Sequence, residues 1–213
     1  MTDQDQFATV NGIEICYRHT GNDDGVPLLL VMGLGAQLIG WPERFVDQLQ
    51  QNGFWVILFD NRDCGLSSKS EGNSPNGADL LLRATMGEEI VSNYSLSDMA
   101  LDAVGLLDHL KVPSAHIVGA SMGGMIAQLV AFNYPDRCKS LISVMSTSGN
   151  PILPRPSKEV IDGLTLQPKS SRKEDVVENN LITRKLWASP KFPTSEELLR
   201  ERYSYRYDRM YYP

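Results

Sequence analysis

Residues 27–32, Pro-Leu-Leu-Leu-Val-Met, form an unbroken apolar run of strand length, the pattern of a strand covered on both faces. Trp55-Val56-Ile57-Leu58-Phe59, Ala115-His116-Ile117-Val118 and Leu141-Ile142-Ser143-Val144-Met145 repeat it. Ahead of them, Phe7–Val10 and Ile13–Arg18 alternate apolar and polar positions around Asn11-Gly12, a type I′ turn pair, and predict a β-hairpin. Between the buried runs the period changes to that of a helix. Phe45, Val46 and Leu49 share a face from Pro42 to Gln51. Ser95-Leu96-Ser97-Asp98 opens a helix of the capping-box type, carrying Met99, Ala103, Leu106, Leu107 and Leu110 as its stripe. A further helix is predicted from Met125 to Tyr134. This alternation predicts an α/β fold: a mostly parallel sheet with helices on both faces. In such sheets function gathers at the carboxyl ends of the strands, where Gly33-Leu34, Asp60 and Ser121 fall.

Two stretches break the alternation. Residues 61–93 are loop-rich, with Gly, Ser, Asn and Pro clustered between Ser67 and Gly77. From Asn150 onward, Pro151, Pro154, Pro156, Pro168, Pro190 and Pro193 punctuate charged, helix-compatible pieces such as Lys173–Leu186 and Thr194–Tyr205. No further buried-strand pattern follows. The expected organisation is a sheet core over residues 1–149 and a helical cap over 150–213, whose closing tyrosine-rich segment reads as a face packing on the core.

Composition narrows the partners. The chain has 213 residues, enough for one sizeable core, and 42% hydrophobic with 22% charged residues is ordinary for a globular protein. A net charge of −6 argues against nucleic acid or an anionic membrane as partner. The polar opening Met1-Thr2-Asp3-Gln4-Asp5-Gln6 lacks the apolar core of a secretory signal, and no apolar run reaches membrane-spanning length. Cys16, Cys64 and Cys138 are far apart and show no metal-ligand spacing. The expectation is a cytoplasmic protein with reduced thiols and no metal site.

Candidate chemistry centres on Gly119-Ala120-Ser121-Met122-Gly123, a Gly-x-Ser-x-Gly between a predicted strand and a predicted helix. A strand turning this sharply into a helix forces its turn residue into strained backbone. Glycines on either side let the two arms pass without a Cβ clash. The serine hydroxyl is then held at the tip, beside the positive end of the helix. A phosphate-binding loop is the competing reading, but neither Gly-Lys-Ser/Thr nor Gly-x-Gly-x-x-Gly spacing is present.

In the order hairpin, strand, Gly-Leu-Gly loop, strand ending in Asp, serine turn, the chain resembles the α/β-hydrolase superfamily from about Phe7 to Ser148. Asp60-Asn61-Arg62-Asp63-Cys64-Gly65-Leu66-Ser67 resembles the Asp-x-Arg-x-x-Gly-x-Ser segment of many members. Met32-Gly33-Leu34-Gly35-Ala36 with Trp41-Pro42 is similar to the ester hydrolases around aclacinomycin methylesterase, with Met-Gly where His-Gly is usual. The resemblance implies acyl transfer without a cofactor: Ser121 attacks the carbonyl of a small or medium ester, and the backbone N–H groups of Leu34 and Met122 hold the oxyanion. Asp60 precedes the serine and is expected to bond the loop around Arg62 rather than act as the triad acid.

The departure from the family lies in the rest of the triad. Its order is Ser, then Asp or Glu, then His. All three histidines here, His19, His109 and His116, precede Ser121. Asp136, Asp162, Asp175 and Asp208 follow it, but none ends a buried strand. No triad acid or base is therefore identified, and the family's last two strands have no counterpart before Pro213. The expectation is a C-terminally incomplete hydrolase, its remainder cleaved, truncated or supplied in trans, with impaired activity. The Leu141–Met145 strand would then be an exposed edge open to self-association. Two other readings stay open. One is a non-catalytic hydrolase-like binding protein, favoured by the missing histidine. The other is a perhydrolase or peptidase of the same fold.

Overall fold

Asn11 and Gly12 both take positive φ, 47° and 77°, so the chain reverses in the tight turn that their pairing predicts. Strands β1 (Gln6–Val10) and β2 (Ile13–Thr20) pair antiparallel across it, Val10 facing Ile13. β3 (Val26–Val31), β4 (Phe54–Phe59), β5 (Ala115–Ala120) and β6 (Cys138–Val144) complete one six-stranded sheet in the order β1-β2-β4-β3-β5-β6. β2 runs antiparallel to β4, while β3 is parallel to β4 and β5, and β5 to β6. The computed structural model describes residues 4–71, 79, 80, 83, 86, 88–150, 152–154 and 157–212. Residues 72–77 of the turn-rich stretch, and Pro151, Pro156 and Pro213, lie outside these.

The apolar runs of β3, β4 and β5 are buried on both faces because helices cover both. Leu28, Leu30, Val56, Leu58 and Val118 point to one side, against Val46, Phe45 and Leu49 of α1 (Glu43–Gln51). Leu29, Val31, Ile57, Phe59 and Ile117 point to the other. There they meet Met99, Ala103, Leu106 and Leu107 of α2 (Leu96–His109), and Ile126, Ala127 and Val130 of α3 (Met122–Asn133). Each fully buried Val, Leu, Ile, Phe or Met side chain among them contributes on the order of 1.5–3 kcal/mol. The capping box of α2 is present: Ser95 Oγ accepts from the Asp98 amide and the Asp98 carboxylate accepts from the Ser95 amide.

α3 begins at Met122, three residues earlier than the apolar period predicts. Gly123 and Gly124 read as breakers in sequence. They sit in the first turn, where the lack of side chains lets the helix start close onto the Val31 carbonyl and Ser146. β5 and β6 likewise extend beyond their apolar runs, to Ala120 and back to Cys138.

β6 stands at the edge of the sheet, and among the described residues no strand pairs with its outer side. Leu141, Ile142 and Val144 are 38%, 51% and 41% exposed.

The chain forms two compact units, Met1–Glu71 with Ser92–Asn150, and Gly72–Val91 with Pro151–Pro213. The second holds α4 (Lys158–Thr165), α5 (Lys173–Trp187) and α6 (Glu196–Arg209). Gly163 of α4 lets that helix close onto Leu186 of α5. Val176, Val177 and Leu181 bury the inner face of α5. Arg200 of α6 reaches Glu178 of α5 at 3.0 Å, and Tyr207 Oη donates to the Ser171 carbonyl at 2.7 Å.

Candidate active site

Ser121 sits between β5 and α3 with φ 55° and ψ −123°, a left-handed conformation rare for a residue with a Cβ. Its neighbours explain how the turn is accommodated. A Cβ on Gly119 would overlap the Gly123 carbonyl and stand 2.6 Å from Gly124 Cα. A Cβ on Gly123 would overlap the Val31 carbonyl and stand 2.7 Å from that of Met32. Ser121 itself is exposed. Its amide donates to the Val144 carbonyl at 2.9 Å, which ties the turn to the end of β6. Gln128 Nε2 adds a second tie, donating to the Gly124 and Thr147 carbonyls at 3.0 and 3.2 Å.

The loop after β3 lies against this serine. A Cβ on Gly33 would stand 3.0 Å from Ser121 Cβ and 3.5 Å from its Oγ. The Ala36 amide donates to the Gly33 carbonyl at 3.2 Å, and Gly35 has φ 61°, so Gly33–Ala36 is a turn of type II character with Leu34 exposed at its tip. Met122, the first residue of α3, carries one of the amides that no helical carbonyl can satisfy. The two backbone groups expected to hold an oxyanion thus belong to segments packed on either side of Ser121.

Asp60, fully buried at 0% exposure, directly follows β4 and serves structure. Its Oδ2 accepts from the Leu66 amide at 2.9 Å, and its carbonyl accepts from Ser67 Oγ at 2.6 Å, so it bonds the loop around Arg62 as the sequence suggests. Its Oδ1 does something the sequence does not announce: it accepts from the Leu38 amide at 2.6 Å, across to the loop after β3. Next to it, Asn61 Nδ2 donates to the Met32 carbonyl at 2.8 Å. Arg62 is held elsewhere. Its Nε and a terminal nitrogen both bond Asp102 of α2 at 2.7 Å, and its guanidinium lies 4.9 Å from the Tyr94 ring centroid. Those bonds to Asp102 raise the Arg62 pKa above its ordinary value. Asn11 Nδ2 donates to the same carboxylate at 2.9 Å, joining the hairpin turn to the cluster. Asn61 and Asp102 escape sequence reasoning. The signal for Asp102 is an acid on the buried stripe of α2, three residues after Met99.

None of the histidines is engaged with Ser121. His19 Nδ1 accepts from Trp55 Nε1 at 3.2 Å, His109 Nε2 is 3.4 Å from Tyr17 Oη, and His116 Nδ1 is 2.6 Å from Ser140 Oγ. His116 lies five residues before the serine along β5, about 16 Å away at strand spacing. Of the carboxylates after the serine, Asp136 lies in a 3₁₀ turn, while Asp162, Asp175 and Asp208 pair with Lys158, Arg172 and Lys173. Bonds from Ser170 and Arg172 hold Asp175 below its ordinary pKa. Among the described residues no three His, Cys, Asp or Glu side chains converge as metal ligands would, and no helix is long and apolar enough to cross a membrane.

The sequence pattern of the alpha/beta hydrolase fold family matches residues 26–173. The chain is 30% identical over 179 residues to the rhodomycin D methylesterase DnrP of Streptomyces peucetius, covering 76% of this chain and 54% of that protein. It is 28% identical over 200 residues to the rhodomycin D methylesterase DauP of Streptomyces sp. strain C5, covering 85% and 61%. The chain therefore spans little more than half the length of these relatives. Among solved structures, a hydrolase from Pseudomonas aeruginosa PA01 matches with TM-score 0.61 at 22% identity, over 96% of this chain and 68% of that one. With its sheet order, serine turn and loop placement, this chain belongs to the α/β-hydrolase fold family.

Proposed function

We propose that the protein is a serine hydrolase that cleaves a carboxylic ester by acyl transfer through Ser121. The observation that carries this reading is the left-handed backbone of Ser121, φ 55°, between two glycines that admit no side chain. Such strain costs on the order of 1–3 kcal/mol and persists where the surrounding structure enforces it, often at functional sites. In this reading Ser121 Oγ attacks the carbonyl carbon and the Leu34 and Met122 amides hold the developing oxyanion. The C–O bond to the alcohol then breaks, and water releases the acyl group. The name methylesterase carried by two relatives supports an ester as substrate, at 30% and 28% identity.

None of the chain's three histidines serves as the base in this reading, so the 213-residue chain by itself turns over slowly. Without a base to take its proton, the serine hydroxyl is a weak nucleophile. The engagement of His19, His109 and His116 away from Ser121 also favours a second reading, a hydrolase-like protein that binds a ligand without turning it over. Hydrolysis of a short-chain p-nitrophenyl ester by wild type and Ser121→Ala separates the two. A slow turnover that Ser121→Ala abolishes supports the hydrolase. Equal rates in both, at background, support the binding protein.

A further inference from the structure

We infer that Asp60 and Asn61 are positioning residues that fix the loop carrying the Leu34 amide, while the Met122 amide is held in the main by α3 and by the tie to β6. The inference rests on the reading of Ser121 as nucleophile.

The loop from Met32 to Leu38 is held at its two ends, and both holds come from consecutive residues at the end of β4. Asn61 Nδ2 grips the Met32 carbonyl at 2.8 Å, and Asp60 Oδ1 takes the Leu38 amide at 2.6 Å. Both bonds are buried, with Asp60 at 0% and Asn61 at 3% exposure, so water does not compete for either. Between the clamps the chain bends through Gly33–Ala36, where Gly33 packs on Ser121 and Leu34 follows it. A hydrogen-bond donor is useful to an oxyanion only when aimed within a few tenths of an ångström, and an exposed turn tip has little packing of its own to hold it. The clamp supplies that hold from behind.

Asp60 is in turn fixed from the other side. The Leu66 amide takes its second oxygen at 2.9 Å, and Gly65, with φ 50°, lets the backbone pack onto the carboxylate, where a Cβ would stand 2.6 Å from Oδ1. The segment Asp60–Ser67 therefore acts as a bracket for the neighbouring strand's loop. Met122 owes its place to α3, the close approach of Gly123 to the Val31 and Met32 carbonyls, and the tie from the Ser121 amide to β6. Asp60 takes part in none of those, and Asn61 touches them only through the Met32 carbonyl, which it bonds and which also faces Gly123.

The test uses the 213-residue chain labelled with ¹⁵N and phenylboronic acid as probe. Boron forms a bond to Ser121 Oγ, the serine proton passes to solvent, and the tetrahedral adduct places an oxygen where the oxyanion would lie. In wild type, ¹¹B NMR reports the tetrahedral adduct, and the Leu34 and Met122 amide protons both move downfield. In Asn61→Ala and Asp60→Asn the Met122 shift is retained and the Leu34 shift falls by half or more. Affinity drops roughly tenfold, less than the about 10²–10³-fold effect of removing an oxyanion donor outright. Asn61→Ala removes a single bond and decides the matter if Asp60→Asn does not fold. Unchanged Leu34 shift and affinity overturn the inference. Loss of both shifts together also overturns it, since the role is then in folding. A wild-type chain that forms no adduct, like Ser121→Ala, overturns the reading of Ser121 and the positioning role with it.

Discussion

Gly119 and Gly123 pass so closely that a Cβ on the first would overlap the carbonyl of the second. That contact is why the serine turn takes glycine at 119, and the Val31 carbonyl, which a Cβ on Gly123 would overlap, is why it takes glycine at 123. It yields a stability prediction. Gly119→Ala and Gly123→Ala each force backbone to shift and are expected to destabilise by at least the roughly 1–3 kcal/mol of an overpacked core. Gly53→Ala, at a positive φ with no atom within 4 Å of its added Cβ, isolates the backbone cost alone. Urea unfolding of the three variants should place Gly53→Ala as the mildest. The reverse ranking contradicts the close-approach argument.

The Arg62–Asp102 pair joins the loop after β4 to α2 with two bonds of 2.7 Å, and Asn11 extends it to the hairpin turn. Both side chains are largely out of water, 12% and 2% exposed. Removing one partner leaves the other charge buried and unpaired, a loss of about 3–5 kcal/mol. Arg62→Ala and Asp102→Ala should each show a loss of that order in denaturant unfolding. The double variant should lose less than their sum. Strict additivity contradicts the pairing.

Acid should loosen the start of α2 specifically. Hydrogen bonds from the Ser95 backbone and side chain hold Asp98 below its ordinary carboxylate pKa. A depressed folded pKa contributes stability above the unfolded value of about 3.9 and loses it as pH falls through the folded value. Amide exchange at Ser95–Met99 should accelerate, relative to the middle of α2, as pH drops through that range. Asp98→Asn should lack the pH-dependent part. Identical pH profiles in the two proteins contradict the capping account.

The outer edge of β6 predicts association. Leu141, Ile142 and Val144 are exposed on an edge strand with apolar residues on both faces, the kind of surface that natural sheets protect with charge. Ile142→Lys should lower the apparent mass in sedimentation and reduce light scattering on concentration. A wild-type chain that stays monomeric at high concentration contradicts this.

Burial made the sheet legible. Pro27–Met32 and Trp55–Phe59 are apolar at every position because helices cover both faces, and such runs read directly as strands. The turn at Ser121 was legible because its glycines follow from sterics. The start of α3 was not, since Gly123 and Gly124 weaken a helix interior yet sit in its first turn, where their small size lets it approach β3 and Ser146. The clamp from Asp60 to Leu38 was also invisible. It ends on a backbone amide 22 residues away, and an amide carries no side-chain signal. Arg62 and Asp102 are both charged, but nothing in a chain read residue by residue pairs positions 40 apart.

Trapping the acyl-enzyme tests whether Ser121 is the nucleophile. The 213-residue chain is incubated with p-nitrophenyl acetate, quenched in acid, digested and mapped by mass spectrometry. An acetyl group is expected on the peptide containing Ser121 and is expected to be absent from Ser121→Ala. Acetylation confined to lysines or tyrosines, and equal in both proteins, would contradict it.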